Sequence, residues 1–291
     1  MGIRKGLGDG GTGGLGEKPR VTSPSLPVSQ SPSRSLEATV GLLVLLFLAA
    51  TNATAQLLSD LEPERPIRIE DARPVSYRAF SGAVDWTYNV RQAHLNDHGP
   101  GFSLVYGAAR SLELGGSVRY VTRPGRNALR GVSSGDIVLH ALYGLTTESA
   151  GWPALALRAG VEFPTGLDSK GTDLQVAGLV TRTIGSLRLH GNLHWTRLGA
   201  TTGTERHDRV EGVLGIDLLP KPRGLTDTLL LADLAYRTNP VRDGTAIVAV
   251  ELGARQRIGP QTLFFVGAGS ELTGEADRAR LRLRAGISHV F

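Results

Sequence analysis

The sequence predicts an all-β fold, an antiparallel transmembrane β-barrel of about twelve strands. Apolar and polar residues alternate with a period of two in stretch after stretch from Phe80 to the C-terminus, with scarcely a helical segment between them. No apolar run reaches the roughly 17 to 25 residues of a spanning helix, so a membrane role falls to strands. The last stretch, Ala279 to Phe291, shows the pattern at its sharpest. Leu281, Leu283, Ala285, Ile287 and Phe291 lie on one face, and Arg280, Arg282, Arg284 and Ser288 on the other. A sheet greasy on one side and ionised on the other, repeated until it can close, suits lipid outside and water inside.

Composition narrows the classes further. The 291 residues include no cysteine, which removes disulfide frameworks and thiolate sites. A net charge of +5, from 32 Lys and Arg against 27 Asp and Glu, is small and evenly spread, and leaves no nucleic-acid footprint.

Residues 1–35 are rich in Gly, Ser and Pro, lack periodicity, and are expected to be a disordered N-terminal extension. Gly8 to Gly13 matches G-x-G-x-x-G, but no strand precedes it and no helix follows, so it reads as a chance match. Arg34, the apolar run Val40 to Ala50 and the small-x-small ending Ala53-Thr54-Ala55 make 36–55 a secretory signal peptide, cleaved after Ala55. The long lead-in before that run points to a true start downstream of Met1. Residues 56–78 are polar and broken by prolines, and read as a periplasmic lead-in to a barrel spanning 79–291.

In the first strand, Phe80, Gly82, Val84, Trp86 and Tyr88 alternate with Ser81, Ala83, Asp85, Thr87 and Asn89. A second strand, Phe102 to Ala108, turns at Ala109-Arg110-Ser111 into a third that sets Leu112, Leu114, Val118 and Tyr120 against Glu113, Ser117 and Arg119. The fourth carries Ile137, Leu139, Ala141 and Tyr143 outward; the fifth sets Leu155, Leu157, Val161 and Phe163 against Arg158 and Glu162. After a sixth strand and the tight Ile184-Gly185-Ser186 turn, Leu187, Leu189, Leu193 and Trp195 oppose Arg188, His190, Asn192 and His194. The eighth strand puts Arg209, Glu211 and Asp217 inward, and the ninth Asp233 and Arg237. The tenth adds Glu251, Arg255 and Arg257, and the eleventh Glu271, which is expected to face Arg280 across the final hairpin. Short connections after the second, sixth and tenth strands become periplasmic turns; long ones after the first, third, fifth and seventh become extracellular loops. Aromatic residues near strand ends, such as Tyr120, Tyr143, Phe163, Trp195 and Tyr236, stand where interfacial girdles belong.

The inward charges divide the functional readings. One is a hydrated path whose unpaired arginines, clustered on the tenth and twelfth strands, favour anionic solutes. The other is a narrow barrel whose charges pair and fill it, a structural or adhesion barrel that binds partners through its extracellular loops. His190 and His194 are no zinc pair, because four residues of strand span about 13 Å. Gly131 to Gly135 matches G-x-S-x-G but lies in a long loop, where no strand enters and no helix leaves. An outer-membrane phospholipase needs Ser and His together on the lipid face, and the outward sets hold almost none. No catalytic residue, metal or cofactor is therefore expected. The expected partners are outer-membrane lipid and a small solute, with no nucleic acid.

Phe163-Pro164-Thr165-Gly166, the polar loop and strand after it, the Ile184-Gly185-Ser186 turn and the hairpin Tyr106-Gly107 to Leu114 resemble the outer-membrane transporters of the MetA-pathway phenol-degradation type. That resemblance implies a barrel of about twelve strands and passage of small, often aromatic compounds. The end of the chain, with Ile287 and terminal Phe291, resembles the signal read by the barrel-assembly machinery, although His289 replaces an aromatic residue often found there.

Overall fold

The computed structural model describes residues 65–91, 96–122, 135–167, 169–201, 203–218, 227–274 and 278–291. The N-terminal extension, the signal sequence with Ala55 and most of the G-x-S-x-G stretch lie outside them. Twelve strands, and no helix among the described residues, make up the molecule. They are β1 (Phe80–Arg91), β2 (Asp97–Ala109), β3 (Leu112–Arg119), β4 (Ile137–Thr146), β5 (Ala154–Phe163) and β6 (Asp173–Ile184). They continue as β7 (Leu187–Arg197), β8 (Asp208–Leu218), β9 (Thr228–Arg237), β10 (Ile247–Arg257), β11 (Thr262–Glu271) and β12 (Ala279–Val290). Each pairs antiparallel with its chain neighbours, and β1 pairs with β12, so the sheet closes and leaves no edge. The Phe291 N–H donates to the Phe80 carbonyl at 2.8 Å and finishes that seam.

The connections keep the alternation read from the sequence. Residues 110–111, 185–186 and 258–261 turn tightly at one end, and Gly185 takes the left-handed conformation, φ +65°, that such a turn needs. At the other end most loops are longer, although β2 starts at Asp97 and leaves only residues 92–96 for the long loop expected after the first strand, and two loops support each other. Arg206 N–H donates to the Pro240 carbonyl at 2.8 Å and Arg242 N–H to that of Thr204 at 3.0 Å.

Period-two alternation decides what faces out. Leu193, Leu214, Leu234, Leu252 and their outward neighbours are exposed, forming an apolar shell that water would penalise and hydrocarbon suits. Facing in, the wall is not uniformly polar. Towards the end that carries the tight turns, it presents Val105, Leu142, Leu179, Leu229, Leu231, Leu263 and Phe265, all buried. The physical reason is that they have something to pack against.

A segment of the chain girdles the lumen

Residues 65–79, read from the sequence as a lead-in outside the barrel, run along the inside of its wall. Ile67 and Ile69 pack with Val213, Leu229, Leu231, Ala235 and Leu263. Ala72 joins Leu142, Ala154, Ala156, Ala177 and Leu179, and Val75 and Ala79 join Val105 and Val290. The segment thus passes strand after strand before it enters β1.

Pro66 and Pro74 keep this stretch out of the sheet, so its backbone donors need other partners. Wall side chains supply them at alternate residues. Arg68 N–H donates to Asp233 Oδ2 at 2.8 Å, Glu70 N–H to Asn192 Oδ1 at 2.9 Å and Ala72 N–H to Thr181 Oγ1 at 3.0 Å. Asn192 Nδ2 donates back to the Glu70 carbonyl at 3.0 Å, and Val75 N–H reaches Glu113 Oε2 at 2.9 Å. Glycines on the inward face make the seat. A Cβ at Gly215 would lie 2.0 Å from Ile69 Cγ2, and one at Gly107 2.0 Å from the Ser76 carbonyl oxygen.

Ion pairs then lock the girdle. Arg188 bridges Asp71 at 2.8 Å and Asp217 at 2.6 Å, and His190 Nε2 lies 2.9 Å from the same Asp217 oxygen. Arg158 meets Glu70 at 2.8 Å, Arg65 also pairs with Glu70, and His194 approaches it at 3.9 Å. The two histidines thus serve different carboxylates. Near the tight-turn end, Arg73 pairs with Glu148 at 2.5 Å. Burial works to raise the Glu148 carboxyl, but hydrogen bonds from the Thr183 N–H at 2.6 Å, the Thr183 hydroxyl at 2.8 Å and Arg73 outweigh it and hold the group below its ordinary value.

At this level every strand contributes a buried inward residue: Ser81, Val105, Glu113, Leu142, Ala156 and Thr181 on β1 to β6, and His190, Val213, Leu229, Arg255, Phe265 and Ser288 on β7 to β12. The lining is shielded from solvent at this level. Arg255, expected on a hydrated path, is fully buried in this floor, and Arg257 is half-buried one step further towards the turn.

Beyond the girdle, towards the long loops, the wall is ionic and partly open. Arg119 pairs with Asp85 at 3.0 Å, Arg284 with Asp85 at 2.8 Å, Arg282 with Glu251 at 2.8 Å and Arg237 with Glu271 at 2.6 Å. Arg68 reaches from the girdle to Glu211 at 3.5 Å, and Gln175 donates to Glu162 at 3.1 Å. Arg209 is half-buried on the same wall. Two expectations change. The arginines of β12 are paired rather than free, because cross-strand neighbours supply carboxylates. Arg280 leaves the set: Val90 pairs with Leu281 and Arg91 with Ala279, so Arg280 is the extra residue of a bulge and is exposed, and Glu271 takes Arg237 in its place.

No family model matches the chain, and no curated protein matches it either. Solved structures do. The COG4313 outer membrane channel from Pseudomonas putida F1 superposes with a TM-score of 0.61 at 14% identity, over 77% of this chain and 100% of that one. The likeness is one of fold. NanC porin (TM-score 0.51, 7% identity, 72% of this chain and 98% of that) and KdgM porin (0.50, 12%, 72% and 99%) share the same architecture.

The proline-broken run from Pro66 to Pro74 carried a signal that the sequence reading left unused. Ile67 and Ile69 alternate there with Arg68 and Glu70, and inward glycines at 107, 215, 253 and 267 leave room on the wall.

Proposed function

We infer that the protein is a passive outer-membrane channel for small solutes, held closed in this state by residues 65–79. The observation that carries this reading is the polarity of the lumen beyond the girdle, where ionised side chains still meet solvent: Arg119 keeps 37% of its side-chain surface, Arg237 34% and Arg282 27%. A polar lining lowers the solvation cost of crossing for a hydrated solute. From Arg65 to Val75 the girdle is held by side-chain hydrogen bonds, ion pairs and apolar contacts, with main-chain bonds to β2 only at Arg78 and Ala79, so that stretch can leave its seat without unzipping a strand. The fold is shared with proteins named as channels and porins, which favours the same membrane and role. The resemblance to phenol-degradation transporters makes small aromatic compounds one solute class to test.

Export by a signal peptide ending at Ala55, and insertion by an assembly machinery that reads Ile287 and Phe291, belong to the same reading. Mature protein beginning at Gln56 would support the first step. The closed layer favours a second reading, a filled structural or adhesion barrel. Planar-bilayer recordings separate the two. A chain lacking residues 56–78 should conduct steadily where the full chain conducts rarely; silence from both favours the filled barrel.

A further inference from the structure

The ion pairs beyond the girdle share an asymmetry of exposure. Arg119 keeps 37% of its side-chain surface and Arg284 20%, against 4% for their common partner Asp85. Arg237 keeps 34% against 5% for Glu271, and Arg282 27% against 4% for Glu251. In each pair the carboxylate lies against the wall and the guanidinium stands in front of it. The reverse occurs at Glu211, 29% exposed beside Arg68 at 12%. Across these pairs, Glu211 excepted, the surface offered to whatever enters is therefore mainly cationic.

At Asp85 the balance goes further, because one carboxylate serves two guanidinium groups. Arg119 Nη1 and Nη2 reach the two Asp85 oxygens at 3.0 and 3.1 Å, and Nη1 also donates to Thr87 Oγ1 at 2.6 Å. Arg284 Nη2 donates to Asp85 Oδ2 at 2.8 Å. The arrangement is built into the sheet, since Arg119 must cross β2 to reach β1, and Gly101 clears its path. A Cβ at Gly101 would lie 2.6 Å from Asp85 Oδ2 and 2.8 Å from Arg119 Nη2. A guanidinium group has five donors in a planar fork that matches a carboxylate or phosphate edge. Three of those hydrogen bonds are accounted for on Arg119, and the side chain stays accessible.

We propose that Arg119 and Arg284, braced over Asp85, form an oxyanion-binding subsite that receives the carboxylate or phosphate group of a solute entering from the long-loop end. Asp85 positions the two forks and cancels one of their two charges, so an arriving anion meets a surplus positive charge in a lumen of reduced dielectric. Arg119 is the residue to test, because its partners Asp85 and Thr87 both belong to the wall, whereas Arg284 also donates to the Arg65 carbonyl of the girdle.

The subsite deepens the channel reading but is tested without transport. Detergent-solubilised full-length protein is titrated calorimetrically with benzoate and, separately, with inorganic phosphate, each against sodium chloride at matched ionic strength. The wild type should bind at least one of the two; which one identifies the group the solute carries. Arg119→Ser should weaken that binding roughly tenfold, about the worth of one charge-assisted hydrogen bond. Arg119→Lys, which keeps the charge but not the fork, should fall between. Asp85→Asn should tighten it, by releasing the charge the carboxylate cancels. Unchanged heat-modifiable gel mobility shows that each variant is folded. No binding of either anion by the wild type, or binding that Arg119→Ser leaves intact, overturns the subsite. Bilayer recordings on the same samples keep the two ideas apart: binding without conductance defeats the channel and not the subsite, and conductance without binding does the opposite.

Discussion

The lumen has two regions built from the same residue types and put to opposite uses. Around the girdle, Arg188 is buried with Asp71 and Asp217, Arg158 keeps 17% of its surface beside Glu70, and the acids keep 2% or less. Towards the long loops, Arg119, Arg237 and Arg282 also pair with buried acids but keep 27–37% of their own side-chain surface. Pairing alone therefore says little about whether a charge is structural or available. What separates the regions is whether a second layer of chain covers the arginine. Where residues 65–79 lie over the wall, charges lock that segment; where no described residue lies over it, they face water.

That contrast can be broken from the locked side first. Arg188→Ala would leave buried Asp71 without its ion pair and Asp217 with His190 alone, and breaking a buried pair in this way costs about 3–5 kcal/mol. The urea midpoint of the heat-modifiable band should fall more for this variant than for Arg119→Ser, whose partner Asp85 retains Arg284. Ile69→Ala comes next: the side chain is fully buried against a wall that cannot collapse, so a loss of about 2–4 kcal/mol is expected, read as more frequent channel openings at unchanged barrel integrity.

Glu148→Gln sharpens the boundary. Its partner Arg73 is 36% exposed, so the salt bridge contributes only about 1 kcal/mol or less, and openings should rise modestly. The pH dependence has a definite sign. The folded carboxyl sits below its ordinary value of 4.5, so its contribution is complete above that value and is lost as pH falls through the lower folded one. Acidification through that window should loosen the wild type and leave Glu148→Gln unaffected at this site. The smallest effect belongs to Arg197→Ala. Arg197 and Asp208 are 55% and 46% exposed, and an exposed pair contributes about 0.2–1 kcal/mol, so stability and ion selectivity should barely move.

Much of this architecture was legible in advance because its signals are local. Leu189 and Leu193 alternate with Arg188, His190 and Asn192 within one strand, which settles which face turns outward whatever the neighbours do. The inward charges were also legible, but not their partners. That Arg237 takes Glu271, and that Arg119 and Arg284 share Asp85, depends on register and shear across strands distant in sequence. Arg280 was misplaced because one bulge residue reverses the parity from which a face is inferred.

From the sequence alone came the number of strands, the side of each that faces out and the end that carries the long loops, since a two-residue period and turn chemistry act over a few neighbouring positions. Only the closed barrel decided that Pro66 to Ala79 lies within, that Leu229 and Phe265 face inward without being exposed, and which arginines stay open to solution. Those outcomes depend on what a ring of twelve strands brings opposite itself, and the segment 65–79 can satisfy its backbone on side chains drawn from positions 113 to 233 only once that ring exists.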